Sequence, residues 1–286
     1  MNATADQLVT GLNAQFDAIH SLTTTVEVVA SVGGGATGKV TEYHPFHGYI
    51  IMEKPRNLRV ILQVPVLLSK GMDMVSDGSN FKMLIPLESR AMIGKDEVVK
   101  PSSKPLENLR PATFFDSMLI RGVQPDELVS LTESSRVLPA EPHRREPVEE
   151  PDYDLTMLRK TKANLLETVR VVHFNRTTLL PYEQDIFDAK GQRTTLASYD
   201  GWQKFSYAQP DGKTGEIQFP TVISIQRPMD QYSLKITITK LTANQKMDAD
   251  QFDICIPSGY KLRDMDDPEA PATIAPPGSC GTQSPH

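Results

Sequence analysis

The 286-residue chain has no apolar run approaching the ~20 residues that a membrane-crossing helix needs. Its most apolar stretch, Val60 to Leu68, is interrupted by Gln63 and Pro65. No cluster of lysine and arginine with interleaved aromatics occurs, and the formal charge is -6, so the electrostatic footprint of a nucleic-acid binder is missing. Met1 is followed by Asn-Ala-Thr-Ala-Asp and a helical pattern, with neither a basic nor an apolar leader region. Cysteine is scarce. Cys255 and Cys280 are the two present, free to pair or to remain thiols, and they do not report the redox compartment. Seventeen glycines stand against 22 prolines, a balance that favours turns and strand edges over long helices.

Catalytic motifs are also lacking. There is no Gly-x-Ser-x-Gly elbow, and Cys255 lies between Ile254 and Ile256, where a thiol acts as a small hydrophobe. Glu149 and Glu150 fall in a polar segment and Asp266 and Asp267 near the end of the chain, both expected to be solvated. Gly33-Gly-Gly-Ala-Thr-Gly-Lys39-Val40 imitates a phosphate loop but puts Val40 where the magnesium-holding hydroxyl belongs, and strand-like sequence follows instead of a helix. Glu42, His44 and His47 are close in sequence, yet Pro45 and Phe46 separate the histidines and no further ligand is near. His173, among valines, reads as a hydrogen-bonded structural residue. The sequence therefore assigns no catalytic residue, no cofactor and no metal, and predicts a protein that is not an enzyme.

What is present is hydrophobic periodicity. Leu8, Leu12, Phe16 and Ile19 recur at helical spacing over Asp6 to Leu22, with Thr4 as cap. From Thr23 the period becomes two, and Val26, Val28, Ala30 and Val32 share a strand face. Five short strands follow, at Val40 to Tyr43, Gly48 to Glu53, Leu58 to Val64, Lys70 to Ser76 and Asn80 to Pro86, with Asp77-Gly78 as a hairpin turn. Leu58, Val60, Leu62, Met72, Met74, Phe81 and Met83 then project to one side of an antiparallel meander. Helical spacing returns with Leu109, Phe114, Phe115, Met118 and Leu119, and Pro125 opens a second short helix to Leu131. Residues 138–151 are rich in proline and charge and predict a mobile loop, a weak domain boundary. Strands resume at Tyr153 to Arg159, Glu167 to Asn175, Pro181 to Asp188, Thr195 to Phe205, Gln218 to Gln226 and Tyr232 to Asn244. Beyond Leu262 periodicity stops, so residues 1–262 are expected as a single domain and 263–286 as a disordered tail.

An amphipathic helix, a long strand, then Gly48-Tyr-Ile-Ile-Met-Glu-Lys-Pro55-Arg-Asn-Leu-Arg59, Met74-Val-Ser-Asp77-Gly78-Ser-Asn-Phe81 and Ile85-Pro86 resembles the LolA/LolB superfamily of lipoprotein carriers and receptors. The motifs cover roughly Asp6 to Pro86; later the order of elements agrees but the motifs do not. The resemblance implies an α+β fold, a strongly curved antiparallel sheet forming an open half-barrel with helices over its concave face. It implies a periplasmic or outer-membrane location and a cavity for the acyl chains of lipids or lipoproteins. The cavity would be lined by Leu58, Val60, Leu62, Met72, Met74, Phe81 and Met83 from the sheet and by Phe114, Phe115 and Met118 from the helix. It also implies that Arg59 latches a helical lid. The alternative on the same fold is an envelope protein-interaction or stress-sensing module without lipid cargo.

Overall fold

The computed structural model describes residues 2–33, 38–64, 69–140, 145–209 and 212–277. Helix α1, Ala5–Asp17, starts where the sequence places its cap. The Thr4 hydroxyl accepts from the Gln7 amide at 3.3 Å while the Gln7 side chain accepts from the Thr4 amide at 3.0 Å, a reciprocal capping box. It ends short of Leu22, because strand β1, Ser21–Gly33, begins with a run of threonines and valines whose branched side chains suit a pleated surface.

The first half is a meander: β2 (Val40–Glu42) and β3 (Phe46–Glu53) lie along one edge of β1, followed by β4 (Asn57–Gln63), β5 (Lys70–Ser76), β6 (Asn80–Ile85) and β7 (Arg90–Lys95). Asp77 makes the β5–β6 turn by accepting the amides of Ser79 and Asn80, each at 2.8 Å, with Gly78 at φ 87°. Gly48 is required for a different reason, since a Cβ there would lie 1.9 Å from the Ile61 carbonyl on β4. Gly48→Ala is expected to cost about 1–3 kcal/mol through forced separation of β3 and β4, measurable as a lower urea midpoint. Residues 34–37 of the phosphate-loop look-alike lie outside the described residues, but Val40–Glu42 is strand, as the sequence context predicted.

A short 3-10 turn, Pro105–Asn108, leads into helix α2, Pro111–Met118. The second half is again a meander: β8 (Glu127–Leu138), β9 (Val148–Lys160), β10 (Leu166–Asn175), β11 (Pro181–Phe187), β12 (Arg193–Asp200), β15 (Val222–Arg227) and β16 (Tyr232–Ala243). Strand β16 pairs antiparallel with β1, joining both halves into one mostly antiparallel sheet of sixteen described strands, whose ends are β8 and the last described strand, Thr273–Ile274. The architecture is thus an open α+β sheet with two α-helices among the described residues. Among the described residues no helix is long and apolar enough to cross a membrane.

Four expectations need correction. The helix expected at Pro125 to Leu131 is the start of β8: Val129 and Leu131 turn toward the core while Leu128, Ser130 and Thr132 turn outward. The loop expected over 138–151 is largely a long β8–β9 hairpin, of which 141–144 lie outside the described residues. Its charges pair across the strands, Arg136 with Glu150 at 2.5 Å and Ser135 with Glu149 at 2.6 Å. Pro151 is tolerated because β10 pairs only from Asp152 onward, so no ladder bond is lost there.

The expected strands Thr195 to Phe205 and Gln218 to Gln226 are each two. Gly201, at φ 65°, and Pro220 break them, and β13 (Gln203–Ala208) with β14 (Thr214–Phe219) leaves the sheet as a separate hairpin. Its Ile217 and Phe219 are buried, and α1 touches it through a bond from the Gln15 side chain to the Gln218 carbonyl at 3.3 Å.

The tail is structured as far as residue 277. Strand β17, Lys261–Asp264, lies parallel to β7, and β18, Thr273–Ile274, pairs with β17. Its acidic residues find cations or amides: Asp266 accepts from the Lys95 amide at 2.9 Å, and Asp267 and Glu269 each hold Lys100 at 3.0 Å. Cys255 is disulfide-bonded, and the other cysteine, Cys280, lies outside the described residues.

Candidate ligand recess

Strand alternation puts Leu58, Val60 and Leu62 on one face of β4, with Met74 on β5 and Phe81 and Met83 on β6 beside them, all buried. Met72 is partly buried against the same cluster, and Phe114, Phe115 and Met118 of α2 belong to it. The ten predicted residues therefore do come together, as one packed hydrophobic cluster. Of the ten, Phe115 and Met118 line the recesses described here.

Arg59 lies between Leu58 and Val60 and consequently faces the other way. Its guanidinium bonds Asp73 of β5 through Nε and Nη2, each at 2.9 Å, and the Gln251 carbonyl through Nη1 at 3.0 Å. The ion pair from this part of the sheet to α2 is made instead by Arg56, in the β3–β4 turn, to Asp116 at 3.3 Å.

An open recess of about 470 Å³ surrounds that pair, lined by Phe16, Pro55, Phe115 and Leu119 and by Lys54, Arg56, Asp116, Arg121 and Gln124. Its wall is predominantly apolar. A narrow cleft of about 20 Å³ adjoins it, sharing Phe16 and Leu119 and reaching Met118, Trp202 and Phe219. The floor comes from the ends of α1 and α2, and the rim from the β3–β4 turn and the segment leaving α2.

The rim is cationic. The Lys54 ammonium sits 3.5 Å from the centroid of the Phe16 ring and donates to the Phe16 carbonyl. Burial pushes the Lys54 pKa below the usual lysine range, against the attraction of Asp17. Arg56 lies 5.4 Å from the Phe115 ring centroid, and Arg121 is held at 3.2 Å by Glu127. Asp116 is the one carboxylate in the lining. An apolar floor with basic groups at its mouth can take a hydrocarbon chain ending in an anion; its size falls within the range of small-molecule sites. Sequence periodicity pointed to Phe115, but Lys54, Arg56 and Arg121 were missed, since they come from two irregular segments, the β3–β4 turn and the stretch after α2, that share no periodic pattern.

No protein-family model matches the sequence. No curated protein matches it either. Solved structures do. A DUF1329 family protein from Desulfovibrio piger superposes with a TM-score of 0.51 at 16% identity, covering 87% of this chain and 95% of that one. A LolA superfamily protein from Nitrosomonas europaea superposes with a TM-score of 0.51 at 10% identity, covering 88% and 99%. Over most of both lengths, therefore, this chain shares the fold of the LolA superfamily.

Proposed function

We propose that the protein is a non-enzymatic envelope protein that holds acyl chains of a lipid or lipoprotein in the recess beside α2, as a periplasmic carrier or receptor. The observation that carries this reading is the combination of the shared fold with an apolar recess rimmed by Lys54, Arg56 and Arg121. Each methylene buried there would contribute ~0.8 kcal/mol. The rim cations would meet a fatty acid carboxylate or lipid phosphate.

A sheet bent around α2 accounts for the contacts of that helix. The Ala112 amide bonds the Asp96 carbonyl beyond the end of β7 at 3.3 Å, and Gln184 of β11 bonds the Asp116 carbonyl at 3.1 Å. These strands are nine places apart in the sheet order, roughly 43 Å if flat, whereas an eight-residue helix is about 12 Å long. Such a concave face gives ligand a path into the core cluster if α2 swings out, breaking the Arg56–Asp116 pair.

Mass spectrometry of an organic extract of the purified protein is the first test, and stoichiometric lipid is the expected result. Phe16→Ser is expected to weaken uptake of a fluorescent fatty acid by at least about tenfold, from lost aromatic contact. Arg56→Gln should weaken a fatty acid but not its neutral glycerol ester. A clean extract with no fatty acid uptake would sink the proposal. It would favour the interaction-module reading, for which the open edge strand β8 offers Leu128 and Val137, 53% and 69% exposed.

A further inference from the structure

On the sheet face opposite the core, β9, β10 and β11 bring four polar side chains together. His173 stands between the buried Val172 and Phe174, and Asp154 between the buried Tyr153 and Leu155, so both project outward. The register sets His173 directly opposite Asp154 on β9 and Glu183 on β11, and Asp185 is two residues further along the same face.

The imidazole is oriented. Its Nδ1 lies 2.7 Å from Asp154 Oδ1, so in the neutral ring Nδ1 carries the proton and Nε2 the lone pair. Nε2 is buried without a hydrogen-bond partner, 3.5 Å from Asp185 Oδ2. One ligand atom each from His173, Glu183 and Asp185 lies within 4.8 Å of the others. Tyr182 packs beside the imidazole, ring centroids 5.9 Å apart, fixed by its bond to Asp152 at 2.9 Å and by Arg136 stacked at 3.5 Å.

We propose that His173, Glu183 and Asp185 bind a divalent first-row cation such as Zn2+, with Asp154 as the positioning residue behind the imidazole. A carboxylate holding the distal N–H of a histidine is the usual support of a metal-bound imidazole. The ligand set of one nitrogen and two carboxylates suits zinc and leaves a coordination position open to water or an anion. Bonds of about 2.0–2.2 Å place tetrahedral ligands roughly 3.3 Å apart, so groups that lie within 4.8 Å of one another need to close by at most roughly 1.5 Å. Arg193, 3.1 Å from Asp185, together with a dication balances the charges of Asp154, Glu183 and Asp185. The site would pin three neighbouring strands.

The test is titration of the full-length, chelator-treated protein with Zn2+ by calorimetry, and with Co2+ by visible absorption. One equivalent of Zn2+, with cobalt ligand-field bands, is expected. Glu183→Gln should abolish it with an unchanged circular dichroism spectrum, and Asp154→Asn should weaken it by about 10- to 100-fold. The double variant His44→Gln and His47→Gln should bind as the parent does. Failure of the parent to bind overturns the site and leaves His173 as an imidazolium held between Asp154 and Asp185. Binding that survives in Glu183→Gln, or is lost with His44 and His47, overturns it too.

Discussion

Replacing Glu127 with alanine is expected to lower folding stability by about 3–5 kcal/mol, the range for leaving one member of a buried ion pair alone. The Glu127 side chain is fully enclosed and binds Arg121 at 3.2 Å, Arg170 at 3.4 Å and the Gln124 amide at 2.9 Å. Arg170 is itself 3% exposed and donates to the carbonyls of Arg121 and Gly122. Burial already depresses its pKa to about 10, and the attraction of Glu127 is the largest force opposing that. Without Glu127 the guanidinium stays enclosed with no anion. Thermal unfolding should show a midpoint lower by on the order of 10 °C. Glu88→Ala, which removes the half-exposed partner of Arg90, should shift stability by less than about 1 kcal/mol. The ligand recess should feel the first change, because Glu127 fixes the segment that carries Arg121 and Gln124.

Arg59→Met is expected to cost a similar ~3–5 kcal/mol at neutral pH, and the cost should depend on pH. Burial by itself would raise the Asp73 carboxyl, but bonds from Arg59 and Lys70 outweigh it and hold the group below the usual aspartate range. A depressed carboxylate adds stability that is present above its unfolded value of about 3.9 and is lost as pH falls through the folded value. In Arg59→Met, Lys70 alone, at 3.0 Å, opposes burial. Protonation then relieves an underpaired charge, so the variant gains relative to the parent on acidification. Urea midpoints at pH 7 and pH 3 check this: a wide gap at pH 7 should narrow at pH 3. An equal gap at both would show that Arg59 acts by packing instead.

The local parts of the fold were legible because their causes are local. Thr4 with Gln7, Asp77 with Gly78, and the alternation through Leu58, Val60 and Leu62 each specify structure within a few residues. Composition misled where long-range pairing decides. The charges of residues 148–151 look solvated until Arg136 is set opposite Glu150, and those of 264–269 until Lys95 and Lys100 are set beside them. Proline and glycine at Pro220 and Gly201 were read through rather than as breaks, which hid the β13–β14 hairpin. The candidate site was half visible: its apolar part follows helical spacing at Phe115 and Met118, whereas Arg121 joins Lys54 and Arg56 only in three dimensions. His173 likewise meets Asp154, Glu183 and Asp185 through register, which no one-strand pattern reveals.

The pairing of β1 with β16 also bears on how the chain reaches its fold. Most ladders join sequence neighbours and can zip as hairpins, but Leu22 must find Ala243 and Val32 must find Tyr232. Closing so long a loop is the slow kind of step, so this seam is expected to set the folding rate. During synthesis β1 emerges first and β16 among the last strands. For that interval one edge of β1 is a bare row of amides and carbonyls flanked by valines, the moment at which the nascent chain is most exposed to mispairing.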